Sequence, residues 1–284
     1  MIISIASGKG GTGKTFLATN LAKIMESQGV QVLDCDVEEP DDHLFLKPRI
    51  KETINVGIPI PDVDEDICIH CGKCSQVCVY HAITDVGAKV LVFPQMCHGC
   101  GACKIVCPVD AITEIDHIVG IIEKGRSGDI NFSAGKMNIK EVAAPHLIRK
   151  VKEHIKPDVI SLIDAPPGTT CPTVTAVSNT DYCILVTEPT PFGLNDLKLA
   201  VEMVSQMGVP TGVVINRVGI GDNKVETYCR EEGLEILLKI PHRREIAEIY
   251  ARGEIVIEEL PDIRNLLQGL ADRLPGLIEE VTRV

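Results

Sequence analysis

Two stretches of the chain carry residue types at spacings that serve chemistry. The first is Gly8-Lys9-Gly10-Gly11-Thr12-Gly13-Lys14-Thr15, which satisfies G-x-x-x-x-G-K-[ST]. Glycines let backbone N–H groups turn inward around phosphate oxygens at the start of a helix, where the helix dipole adds favourable potential. Lys14 then reaches the β- and γ-phosphates, and the Thr15 hydroxyl binds magnesium. The second is a cysteine run used twice, Cys68, Cys71, Cys74 and Cys78, then Cys97, Cys100, Cys103 and Cys107, each spelling C-x2-C-x2-C-x3-C. Thiolates at this spacing ligate iron-sulfur cubes, with tetrahedral zinc as the competing use.

Each motif has an alternative. Gly8, Gly10 and Gly13 also spell G-x-G-x-x-G, and Asp34 or Asp36 follows about twenty residues on, as a dinucleotide turn requires. Such a turn has no purpose for Lys14-Thr15, which favours a nucleoside triphosphate. Structural zinc sites pair two C-x2-C units at longer separation, so three closely spaced cysteines with a fourth at x3 suit a cube better. With eight ligand positions filled, His70, His81 and His98 read as loop residues.

These groups must be held by elements, and the hydrophobic pattern supplies them. Residues 1–6 form an apolar run too short for a helix, and an apolar-periodic stretch runs from Thr15 to about Gln28, where Gly29 ends it. Further strand-like runs fall at Gln31–Leu33, Val159–Ile163, Tyr182–Thr187, Gly212–Asn216 and Glu235–Ile240, the later ones separated by helical stretches. This rhythm predicts an α/β fold, a mostly parallel sheet with helices on both faces. Ile118–Glu123 and Asp129–Phe132, around GRSG, read as a β-hairpin.

The cysteine-rich stretch breaks the rhythm. Ile67–Thr84 recurs as Met96–Thr113, cysteines in register and both copies closing on Ala-Ile-Thr. Residues 62–117 therefore read as a small inserted α+β domain, and residues 1–61 and 118–284 as one discontinuous domain around it.

Composition narrows the partners. The 284 residues carry a formal charge of −12, and only 3% are aromatic, with no tryptophan. An acidic, ring-poor chain is poorly suited to phosphate backbones or exposed bases, so no nucleic acid is expected. No run of about 20 apolar residues occurs, and the opening lacks the basic and small-residue signals of secretion, so the expectation is cytoplasmic with no membrane anchor. Cysteines in a reducing compartment are metal ligands or buried thiols rather than disulfides. Lys136, Lys140, Arg149, Lys150, Lys152 and Lys156 form one basic stretch, read as a solvated helix face. Pro261–Val284 has helical spacing, broken by Pro275.

With its early Lys9, GKGGTGKT resembles the deviant phosphate loop of the MinD/ParA/Mrp and nitrogenase iron-protein class of ATPases. The resemblance implies slow, magnesium-dependent ATP hydrolysis in a nucleotide-sandwich homodimer, with Lys9 reaching the ATP or ADP of the other subunit. It places Gly8, Gly10, Gly11, Thr12, Gly13, Lys14 and Thr15 on the phosphates. It gives Asp36 of LDCDVEEPD the attacking water, an assignment shared with Asp34 and Asp41. Asp164 of LIDAPPG matches the aspartate beside magnesium, and Gly168 the glycine whose N–H senses the γ-phosphate. Asn216 of VVINR matches the adenine-reading asparagine, and Pro241 of KIPHRR the proline beside the base. The cysteine array resembles the two-cluster bacterial ferredoxins, with Val79 where that pattern has proline. That implies two 4Fe-4S clusters, one on Cys68, Cys71, Cys74 and Cys107, the other on Cys97, Cys100, Cys103 and Cys78. Cys171 sits where the nitrogenase iron protein has one ligand of its bridging cluster, but nothing between Ile118 and Pro157 supplies a second. The combined expectation is an ATPase coupled to electron transfer, or to iron-sulfur or metal-cofactor maturation, in a redox or cofactor-assembly partner. A positioning ATPase with redox-sensing clusters, or an electron-carrying module with a regulatory nucleotide site, are the alternatives.

Overall fold

The computed structural model describes residues 1–282. In chain order its elements are β1 (Ile2–Ala6), α1 (Lys14–Ile24), β2 (Val30–Asp34), α2 (Asp42–Leu46), β3 (Arg49–Val63), α3 (Lys73–Val77), β4 (Ile83–Asp85), β5 (Val90–Val92), α4 (Ala102–Ile105), β6 (Ile112–Ser127), β7 (Ile130–Met137) and α5 (Ala144–Lys152). They continue as β8 (Ile160–Asp164), α6 (Cys171–Val177), β9 (Tyr182–Thr187), α7 (Pro191–Gln206), β10 (Thr211–Val218), α8 (Lys224–Glu231), β11 (Glu235–Pro241), α9 (Arg244–Ala251), α10 (Val256–Glu259) and α11 (Pro261–Thr282).

Strands such as IISIA and YCILVT are apolar throughout because helices cover both of their faces. They form a nine-stranded sheet in the order β11-β10-β9-β1-β8-β2-β7-β6-β3. From β11 to β7 all neighbours are parallel, and β6 runs against both of its neighbours. One face buries Ile3, Ile5 and Leu162 under Leu17 and Leu21 of α1 and Leu267 and Leu274 of α11. The other buries Leu33, Ile163 and Ile215 under Leu147 of α5, Ala176 of α6 and Leu197 of α7. Parallel register brings Ile5 of β1 and Asp34 of β2 each opposite Asp164 of β8, so the carboxyl ends of three central strands open at one edge.

The expected α/β architecture is present, and the structure departs from the sequence expectations in three places. The hairpin is much longer than 118–132, and its outer neighbour β3 carried no expected element. β3 pairs with β6 from Arg49 opposite Arg126 to Val63 opposite Ile112. Pro59, Pro61 and the charged RIKETIN hide this strand from propensity, but β3 is the sheet's edge, where proline is tolerated. Residues 62 and 117 both lie inside this ribbon, so the cysteine segment hangs from two strand tips rather than from loops. Second, Pro275 does not break α11. Proline forfeits one hydrogen bond, but Leu270 and Leu274 are buried before it, and Leu277 and Ile278 pack on the core beyond it. Third, Lys152 is not part of a solvated face: its ammonium donates to the carbonyls of Thr175, Ala176 and Ser178 and closes the end of α6.

Within the cysteine segment β4 and β5 form a two-stranded antiparallel sheet. The repeat is one of backbone as well as sequence. Left-handed residues recur in register: His70 with Gly99 (φ 51° and 65°), Gly72 with Gly101 (69° and 71°), His81 with Asp110 (53° and 52°). A small core of Ile83, Val90 and Ile112 has Cys68, Cys74, Cys78, Cys103 and Cys107 packed against it.

Candidate functional site

The glycine-rich loop leaves β1 and enters α1 through Gly13, whose φ of 102° suits glycine alone. A Cβ there would also lie 2.3 Å from Asn216 Nδ2, and one on Gly8 would lie 2.2 Å from the Asp196 carbonyl oxygen. The loop is thus clamped between the end of β10 and α7. Asn216 holds it directly: Nδ2 donates to the Thr12 carbonyl at 2.8 Å, while Oδ1 accepts from the Arg217 N–H at 2.8 Å. Thr15 Oγ1 donates to Asp164 Oδ2 at 2.6 Å, and Asp164 Oδ1 is buried without a partner. An orphaned carboxylate oxygen beside a hydroxyl fits a magnesium ion held by Thr15 and Asp164.

These residues floor a cleft of about 450 Å³, where Gly10, Gly11, Gly13, Lys14 and Thr15 face Pro241, His242, Arg243 and Tyr250. Asp36 and Asp41 reach the cleft. Asp34 does not: its carboxylate accepts the N–H groups of Asp36 and Asp42 and shapes the loop beneath. Gly168, at φ 92°, donates its N–H to the Ser7 carbonyl at 2.9 Å. Lys9 Nζ lies 3.2 Å from Glu188 Oε2, and Arg217 lies 2.6 Å from the other oxygen of that nearly buried carboxylate.

In the cysteine segment eight thiols divide four and four between two cavities. Cys68, Cys71, Cys74 and Cys107 line one, and Cys78, Cys97, Cys100 and Cys103 line the other, so each set borrows one member from the opposite repeat. All are free thiols. Backbone N–H groups of Ala82 and Gly99 donate to Cys78 and Cys97. Among the described residues, the one set of three or more metal-binding donors drawn within 4.8 Å is Glu65, Cys68 and His70. Zn–S bonds of about 2.3 Å would pull four thiols to roughly 3.8 Å of one another, so neither set is gathered for a single ion. The wider spacing fits a polynuclear centre. Cys35, Cys183 and Cys229 are buried, and Cys171 is exposed at the first residue of α6.

The family description for the CobQ/CobB/MinD/ParA nucleotide-binding domain matches residues 3–256. The chain belongs to this family. Its relatives include an uncharacterized protein of Methanocaldococcus jannaschii, 32% identical over 96% of this chain and 97% of that one. An iron-sulfur cluster carrier protein of Aquifex aeolicus is 30% identical over 36% of this chain and 32% of its own length. The fold is similar to that of the septum site-determining protein MinD of Pyrococcus horikoshii, solved with Mg-ADP, with a TM-score of 0.60, 22% identity and 98% of both chains covered.

In this member of the MinD/ParA-type family the cleft concentrates carboxyl groups around one buried lysine. Burial pushes Asp164 up to about 6, with Lys14 and the Thr15 bond opposing. Burial pushes Asp36 up to about 7, again against Lys14. Asp34 and Asp42 stand well above the usual carboxylate range, through burial first and then repulsion, by Asp164 on Asp34 and by Asp34 on Asp42. Both Asp42 oxygens are buried and unpartnered. Cations that enter such a site favour its ionised form. Sequence reasoning missed Glu188, Arg217 and Tyr250, the last stacked on Phe45 of α2 at 4.4 Å and lining the cleft. Glu188 follows directly on β9, at the same sheet edge as the phosphate loop, and that position was its available signal. No described helix is long and apolar enough to cross a membrane.

Proposed function

We propose that this chain is an ATP-hydrolysing iron-sulfur protein whose nucleotide state is coupled to electron transfer, or to iron-sulfur or metal-cofactor maturation, in a partner protein. The observation that carries this reading is the division of eight thiols into two crossed sets on a ribbon continuous with the sheet that holds the phosphate loop. The cluster-carrier name of a family relative supports the maturation branch.

Phosphoryl transfer asks for positioning and charge neutralisation more than covalent chemistry. The loop N–H groups and Lys14 cradle the phosphates. Thr15 and Asp164 hold Mg²⁺, which when bound neutralises developing phosphate charge. Asp36, with Asp41 beside it, orients the attacking water, and Pro241 flanks the base. Lys9 acts across a homodimer once it leaves Glu188, and Gly168 turns its N–H to the γ-phosphate once it leaves Ser7. The thiols of each cavity hold one 4Fe-4S cluster, which when bound supplies one-electron exchange; the neighbouring N–H groups and apolar walls set its potential.

Anaerobically purified protein tests the reading. Iron and sulfide should approach about eight each per chain, as two cubes require. Stoichiometric zinc would overturn the cluster assignment. Lys14→Ala should abolish ATP turnover, and turnover or nucleotide affinity should differ between oxidised and reduced protein. Equal values in both redox states would sink the coupling.

A further inference from the structure

The two cysteine cavities are related by the repeat, yet their surroundings differ. The cavity of Cys78, Cys97, Cys100 and Cys103 lies against Pro59, Pro61 and Glu114 on the ribbon, and Cys97 packs on the main hydrophobic core. It is lined by Tyr80 and His98, whose rings stack 3.7 Å apart. The charged pair beside it, Lys104 and Glu114, is self-neutralised at 3.0 Å. At the equivalent places the cavity of Cys68, Cys71, Cys74 and Cys107 has Val109 and Ile69. This second cavity sits at the ribbon's far tip, against Val63 and Ile112.

Its mouth differs in charge and at one apolar position: Ile67 and Ile69 are 47% and 60% exposed, whereas the other repeat has Met96, 45% exposed, in the place of Ile67 but His98 in the place of Ile69. The chain leading to Ile67 and Ile69, Asp62, Asp64, Glu65 and Asp66, is exposed and acidic, with Lys73 the one lysine lining the cavity. Uncovered aliphatic side chains next to a redox centre, edged by carboxylates, have the anatomy of a small transient interface: a desolvating middle and a charged rim that steers encounter.

Resting on the cluster reading above, we propose that this distal tip docks a redox protein whose cofactor edge is apolar and ringed by lysine or arginine. One electron passes at this face: the reduced distal centre is oxidised by one equivalent and the partner's cofactor is reduced by one. No bond is made or broken and no proton moves.

The probe is a basic cytochrome c, used with the intact, iron-loaded protein under anaerobic conditions. Calorimetry with the ferrous form, which accepts no electron, reads docking alone; stopped-flow with the ferric form reads transfer from reduced protein. Charge reversal by Asp64→Lys with Asp66→Lys should slow haem reduction about tenfold to a hundredfold at low ionic strength and weaken docking in parallel, with the difference vanishing in high salt. Ile67→Ser with Ile69→Ser should lower both at every salt concentration. Glu231→Lys with Glu232→Lys, at the carboxyl end of α8, makes the same change in net charge elsewhere and should alter neither by more than about twofold. Iron content and cluster spectra of each variant must match the parent. Equal slowing by the α8 control, in iron-loaded protein, would overturn the docking face and leave the cluster reading standing. Iron-free parent protein would refute the cluster reading and the electron step with it.

Discussion

Asn216 offers the sharpest test of how the nucleotide cleft is built. The resemblance makes it a reader of adenine, but in the structure its amide holds the phosphate loop through Thr12 and is wedged against Gly13. Asn216→Ala leaves the Thr12 carbonyl without its partner in a buried setting, which costs about 1–3 kcal/mol. If about 1–2 kcal/mol of that falls on the loop geometry that binds phosphate, affinity drops roughly five- to thirtyfold. The loss should be the same for Mg-ATP, Mg-GTP and pyrophosphate, because both amide atoms are already engaged, Nδ2 with the Thr12 carbonyl and Oδ1 with the Arg217 N–H. The melting temperature should fall by a few degrees. Isothermal titration of the three ligands against parent, Asn216→Ala and Asn216→Ser separates the roles. A pyrophosphate affinity untouched by the substitution, with ATP weakened relative to GTP, would refute the bracing argument and restore base reading.

Three further outcomes follow from the geometry. Asp164 at about 6 and Asp36 at about 7, with Asp34 and Asp42 shifted the same way, are carboxyls whose pKa rises on folding, so their stabilisation is lost as pH climbs through those values. Metal-free protein should therefore melt at lower temperature as pH goes from about 6.5 to 8, and Mg²⁺ should flatten the trend; His146 and His154, lowered by burial, oppose it mainly at more acid pH. A metal-free melting temperature that climbs across that window contradicts the buried-carboxyl account. Glu188→Gln removes the charge that parks Lys9, an ion pair worth about 0.5–1 kcal/mol at this partial exposure, so ATP-dependent self-association by sedimentation should tighten about two- to fivefold. Lys152→Met takes the ammonium from three carbonyls at the end of α6, of which Thr175's keeps the Ser178 hydroxyl, and should cost about 2 kcal/mol in chemical denaturation, with Lys152→Arg recovering part of it.

The central strands were legible because burial on both faces writes itself as an unbroken apolar run, as in β1 and β9. The phosphate loop was legible because its chemistry is local: eight consecutive residues contain the turn, the cation and the hydroxyl. The grouping of thiols goes with spacing, since the fourth cysteine of each run, one residue further on and just past the end of its helix, lines the other cavity. What escaped detection depends on partners distant in the chain. β3 is a strand because β6 lies beside it, not because RIKETINVGIPIP favours one. Glu188 acquires meaning only through Lys9 and Arg217, and Lys152 only through the carbonyls at the end of α6. Pro275 misled because the cost of one lost hydrogen bond was weighed without the tertiary packing on either side. Asp34, Asp36 and Asp41 could not be ranked until the loop's own N–H groups were seen to occupy Asp34.

The paired strands β3 and β6 have a mechanical consequence. A module tethered by glycine-rich linkers would diffuse about its anchor and meet partners in any attitude. Here both connections are hydrogen-bonded to each other up to Val63 and Ile112, so the module is carried on a stiff spar with no slack. Such a spar twists more readily than it bends, and its root is welded to β7, whose other neighbour is β2. A small rotation at the end of β2, where Asp34 and Asp36 sit, would become a swing of the thiol-bearing tip through a longer arc, as the boom of a crane amplifies a turn of its base.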